Sequence, residues 1–240
     1  MVGIRSMLMA PVNFALPKRC AGCGHISGAD GNFCTRCWSQ LDILPDDGCQ
    51  LCNQPVALAG SICGPCLDVL PKHDGVLAAV DYCDTARDLA LKLKYGRKPG
   101  VADVMAALMV RHARKHPDAV LVPIPLHRWR IWQRGFNQSL LIARSVARLT
   151  GQEVLPSPIL RTKRTSPLGG LSRTSRGREV RGAFTMDPAQ LGAIKGRQVL
   201  LVDDVYTTGA TTNACAGVLK RAGAQKVHVL CWARVLKEGA

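Results

Sequence analysis

Val199-Leu200-Leu201-Val202-Asp203-Asp204-Val205-Tyr206-Thr207-Thr208-Gly209-Ala210-Thr211-Thr212 is the most informative stretch of this 240-residue chain. Residues 199–202 are all apolar, which predicts a strand buried on both faces in a parallel sheet. Asp203 and Asp204 close that strand. A Thr/Gly loop follows and opens a helix over Asn213–Arg221, which Gly223 ends. The junction of strand, loop and helix N-terminus is where open α/β sheets bind ligands. Amides of such a loop and the helix dipole behind them suit a phosphate dianion. Thr207, Thr208 and Thr211 add hydroxyl donors, Ala210 is small, and Gly209 permits close backbone approach. Two carboxylates beside that pocket suit the vicinal hydroxyls of a ribose. A plain capped turn would explain the threonines but not the paired acids next to them. The Walker-A pattern is absent.

Outward from this stretch the chain alternates strand and helix, which predicts an α/β fold with a parallel sheet flanked by helices. Strands are expected at Gly75–Tyr82, Ala119–Ile124 and Lys226–Ala233, and helices at Thr85–Leu93, Val101–His116 and Ser139–Leu149. The segment from Pro125 to Gln138 reads as a loop. It interleaves Arg128, Arg130 and Arg134 with Trp129 and Trp132, and stacking surfaces beside cations suit single-stranded nucleic acid. His127 reads as a loop histidine in a structural hydrogen bond rather than as an acid or base. Residues 161–182 read as a basic loop rich in Arg, Ser and Gly.

Eight of the eleven cysteines fall in four C-x-x-C pairs: Cys20/Cys23, Cys34/Cys37, Cys49/Cys52 and Cys63/Cys66. Ten residues separate the first pair from the second, and ten separate the third from the fourth, so the segment is an internal duplication. Two such turns complete a tetrahedral Cys₄ site, and the spacings do not match those of ferredoxin clusters. Two structural Zn²⁺ sites follow; pairing in chain order (Cys20/Cys23/Cys34/Cys37 and Cys49/Cys52/Cys63/Cys66) fits the duplication best, and a cross-braced pairing is the alternative. A segment this short buries too little surface to fold alone, so metal binding supplies its folding energy. The expected organisation is a double zinc ribbon with a short N-terminal helix over 1–70 and the α/β domain over 71–240. His25 reads as a bystander, and Cys83, Cys215 and Cys231 as small buried core residues.

The formal net charge of +15 is unevenly placed. Residues 1–66 hold four basic and four acidic side chains, whereas residues 127–182 hold twelve Lys/Arg and two acids. With two Zn²⁺ on eight thiolates the ribbon segment carries about −4, so all the positive excess lies beyond it. Such a surface attracts phosphates, on a metabolite or on nucleic acid. No apolar run is long enough to span a membrane. Pro11 and Asn13 interrupt the first apolar stretch and no A-x-A site follows, which argues against a secretory leader and for a cytoplasmic protein.

The 199–212 stretch resembles, without gaps, the signature that type I phosphoribosyltransferases use for phosphoribosyl pyrophosphate (PRPP). The resemblance implies that Asp203 and Asp204 hold the ribose hydroxyls and that Thr207–Thr211 hold the 5-phosphate. Pro123-x-Pro125-Leu126-His127, then Arg134-Gly135-Phe136-Asn137-Gln138, then a Gly170-Leu171-Ser172…Arg181-Gly182-Ala183-Phe184 loop, all behind cysteine knuckles, look like the ComF family. That family is amidophosphoribosyltransferase-like and linked to competence and DNA uptake. The resemblance runs from Cys20 to about Arg234. It implies a pyrophosphate loop after Ile124, with Lys92 and Lys94 reaching the pyrophosphate and Arg128, Arg134 and the arginines at 173–181 clamping the leaving group. The implied reaction displaces Mg²⁺-bound pyrophosphate from C1 by a nitrogen nucleophile. A PRPP sensor without turnover and a single-stranded-DNA-handling protein are the alternatives, and competence helicase and channel proteins are the partners it implies. Leu168 and Glu179 stand where relatives often show glutamine and asparagine.

Overall fold

The computed structural model describes residues 18–27, 33–96, 98–163 and 180–236. The predicted N-terminal helix and most of the basic loop, with Arg173, Arg176 and Arg178, lie outside these.

Two short helices, α1 (Thr35–Trp38) and α2 (Gly64–Asp68), belong to the cysteine module. The α/β part runs β1 (Gly75–Asp81), α3 (Asp84–Tyr95), α4 (Val101–Ala113), β2 (Val120–Pro123), α5 (Arg128–Arg134) and α6 (Gln138–Thr150). It continues with β3 (Ile159–Arg161), β4 (Phe184–Met186), α7 (Leu191–Ile194), β5 (Gln198–Tyr206), α8 (Ala210–Arg221) and β6 (Lys226–Arg234). Four strands form a parallel sheet in the order β1-β6-β5-β2. Strands β3 and β4 form a separate antiparallel pair.

The sheet is buried on both faces, as its Val/Leu/Ile runs require. Leu200 and Val202 of β5 face a cluster with α3, α4 and α6, where Trp232 is buried and donates its indole N–H to the Ala86 carbonyl at 3.1 Å. Val199 and Leu201 face the opposite cluster, with α8. Period-two alternation puts successive β5 side chains on opposite faces, which decides where the two acids go.

Short stretches of chain flank both outer strands. Asp81 donates its amide to the Asp42 carbonyl at 2.8 Å, Leu44 donates to Ala79 at 3.2 Å, and Ile43 bridges Val80 antiparallel. On the far side, Leu121 donates to Glu153 and receives from Leu155, both at 2.9 Å. The cysteine module is thus knit into the sheet through residues 42–44 rather than hung on a free linker.

Three sequence expectations change. β5 runs on through Tyr206, so Asp203 and Asp204 lie inside the strand rather than closing it, and α8 starts at Ala210, three residues early. The stretch after Leu126 is not all loop: His127 Nδ1 accepts from the Trp129 amide at 3.2 Å and Gly135 closes the helix at φ 84°, so Arg128–Arg134 is helical. His127 is therefore a cap, the structural role expected of it. Cys215 and Cys231 are core residues, but Cys83 is half-buried at the head of α3 and donates to the Gln40 carbonyl at 3.2 Å.

Candidate functional site

The loop that opens α8 is built around one glycine. Gly209 caps α8 with φ +75°, a conformation that costs any side-chain-bearing residue about 1–2 kcal/mol. A Cβ there would also lie 2.9 Å from Cζ of Tyr206, whose ring packs beneath the turn. The first helical bond of α8 runs from the Asn213 amide to the Gly209 carbonyl at 2.8 Å. The amides of Ala210, Thr211 and Thr212 ahead of it therefore have no intrahelical acceptor. Those three residues line a cavity of about 40 Å³ with Asp203, Val205, Tyr206, Thr207, Thr208 and Gly209. The Thr212 hydroxyl is committed, since it donates to the Gly209 carbonyl at 3.0 Å.

The acids diverge as the strand alternation demands. Asp204 is 4% exposed and pairs with Lys94 Nζ at 2.5 Å, from the last turn of α3. Asp203 accepts from Ser139 Oγ at 3.2 Å and from the Asp204 amide at 2.9 Å. Burial, and then the like charge of Asp204, push the Asp203 carboxyl up to about 7, against the pull of Lys94. Burial alone would lower Lys94; Asp204, with Asp203 behind it, reverses this and raises it.

Cations surround the acid pair. Arg134 donates to Gln138 at 3.1 Å and to the Tyr95 hydroxyl at 3.4 Å, with its guanidinium 5.0 Å from the Tyr95 ring centroid. Burial and then Arg134 lower Arg130; burial and then Arg130 lower Arg161, while Asp203 acts the other way. Arg130, Arg134, Arg161, Lys94 and Asp203 thus share one electrostatic neighbourhood. Arg161 was not singled out in the sequence, where it looked like the start of the basic loop. Its position at the close of the apolar Pro158-Ile159-Leu160 run was the available signal.

Other sequence candidates lie elsewhere. Lys92 donates to the carbonyls of Ala21, at 2.9 Å, and Gly22 in the first cysteine knuckle, so the structure does not bring it to the acids. Arg128 is exposed on α5. Trp129 and Trp132 sit on the same helix with ring centroids 6.1 Å apart, and Trp132 is 82% exposed.

The eight knuckle cysteines gather in chain order into two groups, Cys20/Cys23/Cys34/Cys37 and Cys49/Cys52/Cys63/Cys66, with sulfurs within 4.8 Å of one another in each. The cross-braced pairing is thereby overturned. Tetrahedral zinc at a Zn–S distance of ~2.3 Å separates its sulfurs by ~3.8 Å. Cys23 and Cys34 stand 3.8 Å apart and Cys52 and Cys63 3.6 Å apart. The amides of Cys34 and Cys63 donate to Cys20 and Cys49 at 3.2 and 3.3 Å. Burial raises the Cys20 thiol, but amides of Cys34 and Cys23 outweigh it and leave it at about 6. Burial, then the neighbouring sulfurs, push Cys37 up to about 12. Both groups fit structural zinc, and His25 is exposed and belongs to neither. Among the described residues no helix is long and apolar enough to cross a membrane.

Residues 12–67 match the family model for a double zinc ribbon domain, and residues 138–238 that for a phosphoribosyl transferase domain. The DNA utilization protein YhgH of Escherichia coli is 33% identical over 196 residues, 78% of this chain and 84% of that protein. Competence protein F of Haemophilus influenzae is 29% identical over 225 residues, 90% of this chain and 96% of that one. Competence protein ComFC of Bacillus subtilis is 27% identical over 206 residues, 81% and 80% of the two chains. Among solved structures, an allosteric regulatory enzyme of purine biosynthesis is 20% identical with a TM-score of 0.39, over 59% of this chain and 30% of that one. With paired Cys₄ ribbons ahead of a phosphoribosyltransferase domain, and this identity across most of its length, the chain belongs to the ComF family.

Proposed function

We propose that the chain binds PRPP, with the 5-phosphate on the amides and hydroxyls of Thr207–Thr211 and the ribose hydroxyls on Asp203 and Asp204. The observation that carries this reading is the glycine-capped start of α8 opening into a cavity that also contains Asp203. A phosphate fits the amides, and a ribose fits the acids beside them. Lys94, Arg130, Arg134 and Arg161 then face the pyrophosphate end. Arg128 and the arginines at 173–181 remain candidates for the same end by family resemblance.

In this reading the reaction passes ribose 5-phosphate to a nitrogen nucleophile and releases pyrophosphate. C1 gains positive charge as the C–O bond breaks, and pyrophosphate leaves with its electron pair. The acid pair favours the developing cation, and the cations favour the departing anion. Magnesium suits the hard oxygens assembled there, with pyrophosphate and ribose as its main donors. Lys94 balances the acid pair until hydroxyls occupy it.

The test follows PRPP by phosphorus NMR with Mg²⁺, alone and with nucleobases or ammonia, using Asp203→Asn/Asp204→Asn as control. Base-dependent pyrophosphate release, absent in the control, supports transfer. Binding without consumption supports a sensor. No binding overturns the PRPP site.

A second reading rests on the exposed Trp132 and its partner Trp129 among arginines. Such a surface stacks bases of single-stranded DNA, in keeping with relatives named for DNA utilization and competence. Competence helicase and channel proteins would then be its neighbours. Salt-dependent binding of an oligothymidylate, lost in Trp129→Ala/Arg130→Ala, is the expected result.

A further inference from the structure

The second cysteine cluster and the phosphate loop are joined by two buried side chains, Arg234 and Tyr206. Arg234, at the end of β6, is 4% exposed. It donates from Nη2 to Cys52 Sγ at 3.0 Å and from Nε to the Cys52 carbonyl. Its guanidinium lies 5.6 Å from the centroid of the Tyr206 ring. Tyr206 is 6% exposed, shares a hydrogen bond of 3.2 Å with His73 Nε2, and receives the Val235 amide on its carbonyl at 2.9 Å. Its ring is the surface under Gly209, where a Cβ would clash. Among the described residues, a path from a cluster sulfur to the turn that opens the cavity passes through Arg234 and Tyr206.

The charge balance gives this path a direction. Among the described residues Arg234 forms no ion pair with a carboxylate. A guanidinium so buried needs a counter-charge. Four thiolates on one Zn²⁺ carry about −2, and Cys52 presents that charge to Nη2. Beside the carbonyls of Cys52 and Val235 that Arg234 donates to, a zinc-bound second cluster would supply its counter-charge through Cys52 Sγ. Arg234 in turn lies on the face of Tyr206 and packs it against the turn. The first cluster lies elsewhere, against Lys92 and α3.

We propose that Arg234 and Tyr206 are positioning residues through which zinc in the Cys49/Cys52/Cys63/Cys66 ribbon holds the phosphate loop in its anion-binding shape. The second ribbon is then a structural input to the ligand site, and by linkage a loop ligand tightens zinc there and not at the first ribbon. The identity of that ligand as a ribose 5-phosphate rests on the function proposed above; the coupling of ribbon to loop does not.

The experiment is hydrogen exchange followed by mass spectrometry on the full zinc-loaded chain, with zinc content measured by a chromogenic chelator. Arg234→Met and Tyr206→Leu should each speed exchange of the 205–213 amides about tenfold, the scale on which outer-shell partners of metal ligands act. Strands β1 and β2 should keep wild-type exchange. Tyr206→Leu should retain two zinc ions, which separates loss of the relay from loss of the ribbon. Arg234→Lys, which keeps the charge, should recover part of the protection. Chelation that removes the second zinc should speed the loop in the wild type and add nothing further in Arg234→Met. Loop exchange unchanged in Tyr206→Leu with both zinc ions bound would overturn the proposal. So would equal acceleration across the whole sheet. Ribose 5-phosphate added to the wild type should protect the same amides; if it binds nowhere while the zinc dependence persists, the PRPP reading falls and the relay stands.

Discussion

Lys94→Met isolates the central electrostatic feature of the site. Lys94 sits 2.5 Å from a 95%-buried carboxylate, with its own side chain 23% exposed. Removing one partner of a buried pair costs about 3–5 kcal/mol, because the other charge is left behind. Met fills much of the space, so we take the lower end, ~3 kcal/mol. At about 2–4 °C per kcal/mol for a chain of this size, the melting temperature should fall by roughly 6–12 °C at pH 8. That cost depends on pH in a definite direction. Lysine stays charged throughout the neutral range, so the acids set the dependence. Asp203 is already pushed up to about 7 by burial and by Asp204, and loss of Lys94 raises it further. An acid whose folded value exceeds its unfolded one contributes stability at low pH that disappears as pH climbs through the folded value. The variant should therefore lie closer to wild type at pH 5.5 than at pH 8, by at least half of the deficit. Calorimetry on both zinc-loaded proteins reads this directly. A deficit equal at the two pH values would refute the acid-pair argument, and no deficit would show that Lys94 is not the counter-charge.

Gly209→Ala combines a left-handed backbone with a clash against Tyr206; it should cost ~2–4 kcal/mol and abolish ribose 5-phosphate binding, measured by denaturant melts and calorimetric titration. Ribose 5-phosphate affinity should rise with pH through about 7 as Asp203 ionises, and Asp203→Asn should keep only the smaller slope due to the phosphate itself, read by titration at pH 6, 7 and 8. Cys49→Ser should lower bound zinc from two ions to one and lower the melting temperature, since structural zinc contributes folding energy directly; retention of both ions would refute the chain-order clusters.

Much of this molecule is legible in its sequence because the signals are local. Runs such as Val199–Val202 admit little but a buried strand, and C-x-x-C turns bring sulfurs together whatever surrounds them. The duplication even favoured the chain-order pairing that the structure shows. What escaped reading depends on distant chain. Lys92 and Lys94 are two residues apart on α3, and only packing sends one to the acids and the other to the first knuckle. Arg161 gains meaning from Arg130 and Asp203, remote in sequence. Arg234 closes an apolar strand and gives no sign that a cysteine 182 positions earlier accepts its hydrogen bond. Arg128–Arg134 looked like loop because its cap is a histidine, an uncommon choice.

Residues 42–44 have a consequence beyond anchoring the ribbon. A parallel sheet ends in strands whose outer amides and carbonyls invite another chain to pair with them. Here β1 is such a strand, and the stretch that leaves the first ribbon lies along it and uses its bonding groups. A chain shortened to the α/β part, or stripped of metal so that this stretch loosens, would offer an unshielded strand to its neighbours. Such preparations should stick together in solution before they lose their helices. Residues 42–44, held between the two cysteine clusters, thus cover an edge that would otherwise favour self-association.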